Sequence, residues 1–139
     1  MRTFSQASPD HRGTPQRPGR VLTLTRARGA STVGAVYYVD APAERLLQEL
    51  DYRERAGYER MSLEVVTDHS KAHAVTWIAP PGNEHDVGQL PLEQLAEHVR
   101  SAAGPSGSNA DYVFQLERAL RELGVEDPQV SALAALLRR

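Results

Sequence analysis

Cysteine is absent from all 139 residues, which removes a disulfide framework, a thiolate nucleophile and a thiolate metal cage together, and fits a reducing, cytoplasmic setting. No apolar run reaches the roughly 18 residues of a membrane-spanning helix. The segment before Arg20 is polar and Pro-rich, without the apolar stretch a secretory signal needs. Neither export nor membrane insertion is expected. Acidic residues are scarce at one end: up to Arg28 there is only Asp10 against Arg2, Arg12, Arg17, Arg20, Arg26 and Arg28, although the whole chain sums to −2. Such a basic end suits an anion, or is simply solvated and paired with the acidic remainder. The sequence pI of about 6.2 and the lack of a nucleic-acid-binding motif argue against nucleic acid as a partner.

What is present is a globular composition, 40% hydrophobic and 24% charged, with nine prolines and ten glycines that predict many loops. The length fits one domain over residues 1–139. Residues 1–19 carry prolines and glycines without periodicity and read as an extended loop. RVLTLTR (20–26) and VGAVYYV (33–39), rich in β-branched and aromatic residues, read as two strands of a hairpin across ARGAST. DAPAERLLQELDYRERAG reads as a helix, with Pro42 in its first turn, Leu46, Leu47 and Leu50 at helical spacing and Gly57 at its end. YERMSLEVVT (58–67) and AHAVTWIA (72–79) read as two more strands across DHSK. PLEQLAEHVRSAAG, SNADYVFQLERALRELG and DPQVSALAALLRR then read as helices, the second capped by Ser108 or Asn109. Strands followed by helices indicate an α+β fold.

Glu54 stands out among the carboxylates because it falls four residues after Leu50 and seven after Leu47, on the same helical face. A partly desolvated carboxylate has a raised pKa, as a general base near neutral pH requires. An ion pair with Arg53 or Arg60 explains the same position without catalysis. His69 and His73 have an H-x3-H spacing, but one falls in a turn and the other on a strand, so they do not share a helical face and no metal site is expected. Ser8, Asp10 and His11 are triad residue types crowded into one loop, where local turn hydrogen bonds explain them better than a relay. AAGPSGSN (102–109) precedes a helix and offers N–H groups to an anion, yet it lacks the Gly-Lys-Ser/Thr ending of a P-loop.

Taken in order, these segments resemble the ChaC-like γ-glutamylcyclotransferases. SPDHRGTPQRPGRVLTL (8–24) is similar to that family's S-x-DHRG-x-P-x-x-PGRVVTL, and VGAVYYV to its next strand, WGVAYRV. LDYRERAGYER (50–60) is similar to its L-D-x-R-E-K-x-G-Y signature, and PLEQLAEHVRSAAGPSGSNADYVFQL (91–116) to its PLE-x-IA…GPSG-x-N-x-EYLF-x-L block. The resemblance implies a small, mostly antiparallel β-barrel flanked by helices, with Glu54 as general acid/base. It further implies Tyr58 and Tyr112 as substrate-pocket residues and Arg12 as part of a signature loop beside the substrate. Either tyrosine is otherwise a core aromatic with a satisfied hydroxyl, and Arg12 a residue that ties down its loop.

The implied reaction is cleavage of glutathione to 5-oxoproline and Cys-Gly, with no cofactor and no metal, by a monomer acting on a small-molecule γ-glutamyl peptide. Two departures are visible. The family opens with a strand and a Tyr-Gly-Ser-Leu loop that cradles the γ-glutamyl end, and nothing similar precedes Phe4. Met1 and Arg2 fall within a family strand, so the expectation is a start placed too late on an active enzyme. The alternative is a degenerate, non-catalytic γ-glutamyl-binding or partner-binding module. The second departure is NEHDVGQLP (83–91) in place of N-P-x-Y-L-G-P-A-P, where Asp86 stands for a tyrosine.

Overall fold

The computed structural model describes residues 1–40, 42–54 and 56–139; Ala41 and Arg55, which belong to the expected helix and signature, lie outside them. In chain order the elements are strands β1 (Arg2–Ser8) and β2 (Gly19–Leu24), helix α1 (Ala43–Arg53) and strands β3 (Glu59–Val66) and β4 (Lys71–Ile78). Helix α2 (Leu92–Ser101), the two-residue strands β5 (Ala103–Gly104) and β6 (Gly107–Ser108), helix α3 (Asn109–Glu122) and helix α4 (Pro128–Leu137) complete the chain. The α+β reading therefore stands; Ala103–Gly104, expected to close the first of the three C-terminal helices, forms β5 instead, and two larger exceptions concern the strands.

The first exception is β1, in a segment expected to be loop. It pairs antiparallel with β2 across a bulge between Thr3 and Gln6. On its other edge the Ala7 N–H donates to the His85 carbonyl (2.8 Å) and the Val87 N–H to the Ser5 carbonyl (2.9 Å). A strand covered on both faces has no reason to alternate, and here every residue from Thr3 to Ser8 is buried. The polar side chains find partners: Thr3 and Ser5 bond to each other, and the Ser8 hydroxyl accepts from the Arg12 N–H.

The second exception is 33–39, which forms no strand and leaves Tyr37 and Tyr38 at 85% and 80% exposure. Its expected partner β2 is occupied on both edges. Away from β1, the Asn109 side chain takes the Arg20 N–H (2.6 Å) and donates to the Arg20 carbonyl (2.8 Å), imitating a neighbouring strand. Two tyrosine hydroxyls occupy Leu22 in the same way. The ladder stops there, so the expected closed barrel is not found among the described residues: the strands form three separate two-stranded sheets.

The core lies where Phe4 of β1 meets Leu95, Ala96 and Val99 of α2, Val113 and Leu120 of α3, and Val130, Leu133 and Ala134 of α4. Helix α3 is capped by the Ser108 hydroxyl on the Asp111 N–H, and α4 by the Asp127 carboxylate on the Gln129 and Val130 N–H groups. Glu117, inside α3 and 4% exposed, is held by Arg138 and Arg121. By contrast α1 contains no buried residue, although Leu47, Leu50 and Asp51, with Glu54 at its end, are half-buried while the rest of the helix is exposed. The β3–β4 hairpin, paired without interruption from Glu59↔Ile78 to Val66↔Lys71, alternates between exposed and half-buried positions.

Candidate functional site

Leu50, Asp51, Glu54, Gly57 and Tyr58 each make a local contribution to this segment. The Leu50 carbonyl accepts the Glu54 N–H at 2.9 Å, closing α1, and Glu54 is its C-cap with φ −89° and ψ 10°. Asp51, one turn earlier, accepts from the Trp77 indole (2.9 Å) and pairs with Arg60 (3.2 Å), which fastens α1 to the β3–β4 hairpin. Arg60 is thus committed to Asp51, and among the described residues Glu54 has no ion-pair partner. The Glu54 carbonyl then accepts the Tyr58 N–H at 3.3 Å, and Gly57 between them adopts φ +82°, a conformation that glycine alone enters without strain.

Beyond the turn, the Tyr58 hydroxyl donates to the Leu22 carbonyl and the Tyr112 hydroxyl accepts the Leu22 N–H, each at 3.1 Å. Two phenols from distant segments therefore meet at one residue of β2. The Arg12 guanidinium lies 5.5 Å above the Tyr112 ring and donates to the Ser108 carbonyl at 3.4 Å. Burial, chiefly, pushes the Tyr58 pKa above the ordinary tyrosine value, with Tyr112 and Glu54 adding to the shift because their negative charge opposes a second anion. Burial likewise raises Tyr112, against the lowering effects of the Leu22 N–H and Arg12. Glu54, Tyr58, Tyr112 and Arg12 are all half-buried, and they form one connected row.

The glycines of the resembling loops explain how that row is held. Strand β5 passes so close to the 11–13 backbone that a Cβ on Gly104 would collide with the His11 and Gly13 carbonyls, and the Ser106 N–H donates to the His11 carbonyl at 3.0 Å. The loop around Arg12 is thereby pinned to the start of α3, which carries Tyr112. Within it Ser8 caps Arg12, while the His11 ring contacts Ser106 at 3.3 Å and Asp10 at 3.9 Å. Asp86 accepts from the Gly82 (2.7 Å) and Gly88 (3.1 Å) N–H groups, which hold its carboxyl below the ordinary range. It serves its own turn. Among the described residues no three His, Asp or Glu side chains are grouped to hold a metal ion. A cavity of about 460 Å³ between α3 and α4 lies apart from this row, beside Glu117, Asp127 and Arg138.

A family model described as "ChaC-like protein" matches residues 1–139. The chain belongs to the ChaC-like family. It is 37% identical to Gamma-glutamylcyclotransferase 2-3 of Arabidopsis thaliana over 99% of this chain and 74% of that one. To the Glutathione-specific gamma-glutamylcyclotransferase of Saccharomyces cerevisiae it is 27% identical, over 89% of this chain and 75% of the relative. The yeast crystal structure described as a γ-glutamylcyclotransferase specific to glutathione superposes with a TM-score of 0.83 at 25% identity, covering 99% of this chain and 82% of that one.

Three residues tied into this row escaped sequence reasoning. Leu22 contributes through its backbone, which no side-chain pattern reveals. Asp51 carries no signal in the helical spacing, and its partners Trp77 and Arg60 come from the hairpin. Asn109 was read only as a helix cap; it is fully buried and pairs with Arg20 instead. The one available signal for Asp51 and Asn109 was their place inside the resembling motifs.

Proposed function

We propose that the chain is a γ-glutamylcyclotransferase that converts glutathione to 5-oxoproline and Cys-Gly, with Glu54 as general acid/base. The observation that carries this reading is the convergence of Glu54, Tyr58, Tyr112 and Arg12 along one row, in a chain similar along its length to relatives named for this activity. Glu54, with no ion-pair partner among the described residues, takes a proton from the α-ammonium of the γ-glutamyl group. The freed amine attacks the γ-carbonyl carbon, the five-membered ring closes, and the bond from that carbon to the cysteinyl nitrogen breaks as Glu54 returns its proton to the leaving amine. No water is consumed and no external nucleophile is needed, which suits a chain without cysteine.

In this reading the Tyr58 and Tyr112 rings wall the substrate pocket while their hydroxyls hold β2, and Arg12 closes the side beyond Tyr112. On the same reading the enzyme acts as a monomer on a small-molecule substrate, in the cytoplasm, which the cysteine-free composition fits. Purified protein incubated with glutathione is expected to release 5-oxoproline and Cys-Gly in equal amounts. Glu54→Gln is expected to lower kcat by about 100-fold or more, in line with the usual worth of a positioned acid/base. Unchanged turnover in that variant would sink the assignment of the base; a wild-type protein that binds γ-glutamyl peptides without releasing 5-oxoproline would sink the enzyme.

A further inference from the structure

Resting on the reading of Glu54 as the acid/base, we propose that Gln6 and Asn83 are positioning residues that set the turn from which Glu54 projects. Gln6 lies at the bulge of β1 and is 1% exposed. Its side-chain amide donates to Asn83 Oδ1 at 3.0 Å and accepts from Asn83 Nδ2 at 3.0 Å, so the two amides form a closed, two-bond pair. The remaining Gln6 N–H donates to the carbonyl of Ala56 at 3.1 Å. Ala56 stands midway between Glu54 and Tyr58, so the pair grips the backbone at the centre of the turn.

Asn83 is itself immobilised. Its Nδ2 donates to the Pro80 carbonyl (2.7 Å) and its Oδ1 accepts the His85 N–H (2.8 Å), while residues 85–87 are laced to the edge of β1. The clamp therefore transmits the rigidity of the buried β1–β2 pair to a turn at the end of a helix that has no buried residue of its own. Gly57 registers how tightly it fits: a Cβ there would lie 2.8 Å from Gln6 Nε2 and closer still to Asn83 Oδ1. The turn is held at the Glu54 N–H, at the Ala56 carbonyl and at the Tyr58 hydroxyl.

An uncharged amide pair is a poor choice for stability alone, since a buried hydrogen-bonded pair is often matched by apolar residues of the same shape. It is a good choice for orientation, because each amide fixes the other and neither lends nor takes a proton. Displacing a catalytic group by about 1 Å costs on the order of 100-fold in rate. A positioning role thus predicts a loss confined to kcat, whereas a purely structural role predicts loss of folded protein with unchanged constants per folded molecule.

The test is Gln6→Met, which keeps length and removes both the amide donor and the amide acceptor, assayed as full-length protein by release of 5-oxoproline from glutathione. The folded fraction is measured by near-ultraviolet circular dichroism. The expected result is a kcat lowered about 10- to 100-fold, with KM within about twofold, for the folded protein. Asn83→Ala leaves the Gln6–Ala56 bond but frees the Gln6 amide to rotate; it is expected to show the same kcat-only loss, smaller in size, and serves where Gln6→Met does not fold. A folded variant with kcat within about twofold of wild type overturns the clamp alone, as does failure of both variants to fold, which assigns the pair to the fold. A wild-type protein that releases no 5-oxoproline overturns the proposed function and the clamp's catalytic role with it.

Discussion

Tyr112→Phe removes one oxygen and leaves the N–H of Leu22 without its partner on the closed edge of β2. A buried backbone group left unsatisfied costs about 1–3 kcal/mol. Leu22 is only half-buried, which places the expected loss in the lower part of that range, about 1–2 kcal/mol. Tyr58→Phe orphans the Leu22 carbonyl instead, and should cost less, because an under-satisfied carbonyl is tolerated better than an orphaned N–H. The two changes act on one residue, so the double variant should fall short of the sum of the singles.

Equilibrium unfolding in urea measures this directly. With a slope of about 2 kcal/mol per molar, the middle of the usual range, a loss of that size lowers the midpoint by roughly 0.5–1 M at unchanged slope. A midpoint in Tyr112→Phe equal to wild type, or additive losses in the double variant, would refute the claim that both phenols serve a single peptide edge. The same geometry sets an alkaline limit. Burial raises both tyrosine pKa values in the folded state, so their contribution is complete below the unfolded value of about 10 and is lost as pH rises beyond it. The wild-type midpoint should therefore fall above about pH 10 more steeply than that of the double variant.

Leu133→Ala, at a fully buried position of α4 packed among α2 and α3, should cost about 2–5 kcal/mol; a loss under 1 kcal/mol in urea unfolding would place the core elsewhere. Glu117 responds to acid. Its hydrogen bond from Arg138, reinforced by the charges of Arg121 and Arg138, holds its folded pKa below the ordinary value. The stability it contributes is present above about pH 4.3 and is lost as pH falls through the folded value. Thermal melts should show wild type ahead of Glu117→Gln at pH 6 and the gap narrowing toward pH 3; a gap that does not change with pH would contradict this pairing.

Much of this architecture was written locally. The alternation of β3 and β4, the helical spacing of α2 and α3, the proline at the entry to α1 and the caps at Ser108 and Asp127 depend on residues a few positions apart, and sequence spacing reads such relations directly. The same locality placed Glu54 beyond Leu47 and Leu50, on the more covered side of α1. The ordered motifs went further and singled out Tyr58, Tyr112 and Arg12 as candidates, though without saying what each touches.

What tertiary structure decided is where strands gain or lose their partners. β1 carries no periodic pattern because it is covered on both sides, and its Thr, Ser and Gln residues are satisfied by groups as distant as Asn83. Segment 33–39 has strong strand propensity but remains unpaired, because Asn109, Tyr58 and Tyr112 already satisfy Arg20 and Leu22 along the edge it was expected to join. Propensity describes what a backbone prefers; whether a strand edge is vacant depends on side chains that arrive from elsewhere in the chain. By itself, then, the sequence determined the identity and local setting of the candidate acid/base, while folding alone decided which distant groups hold its turn in place.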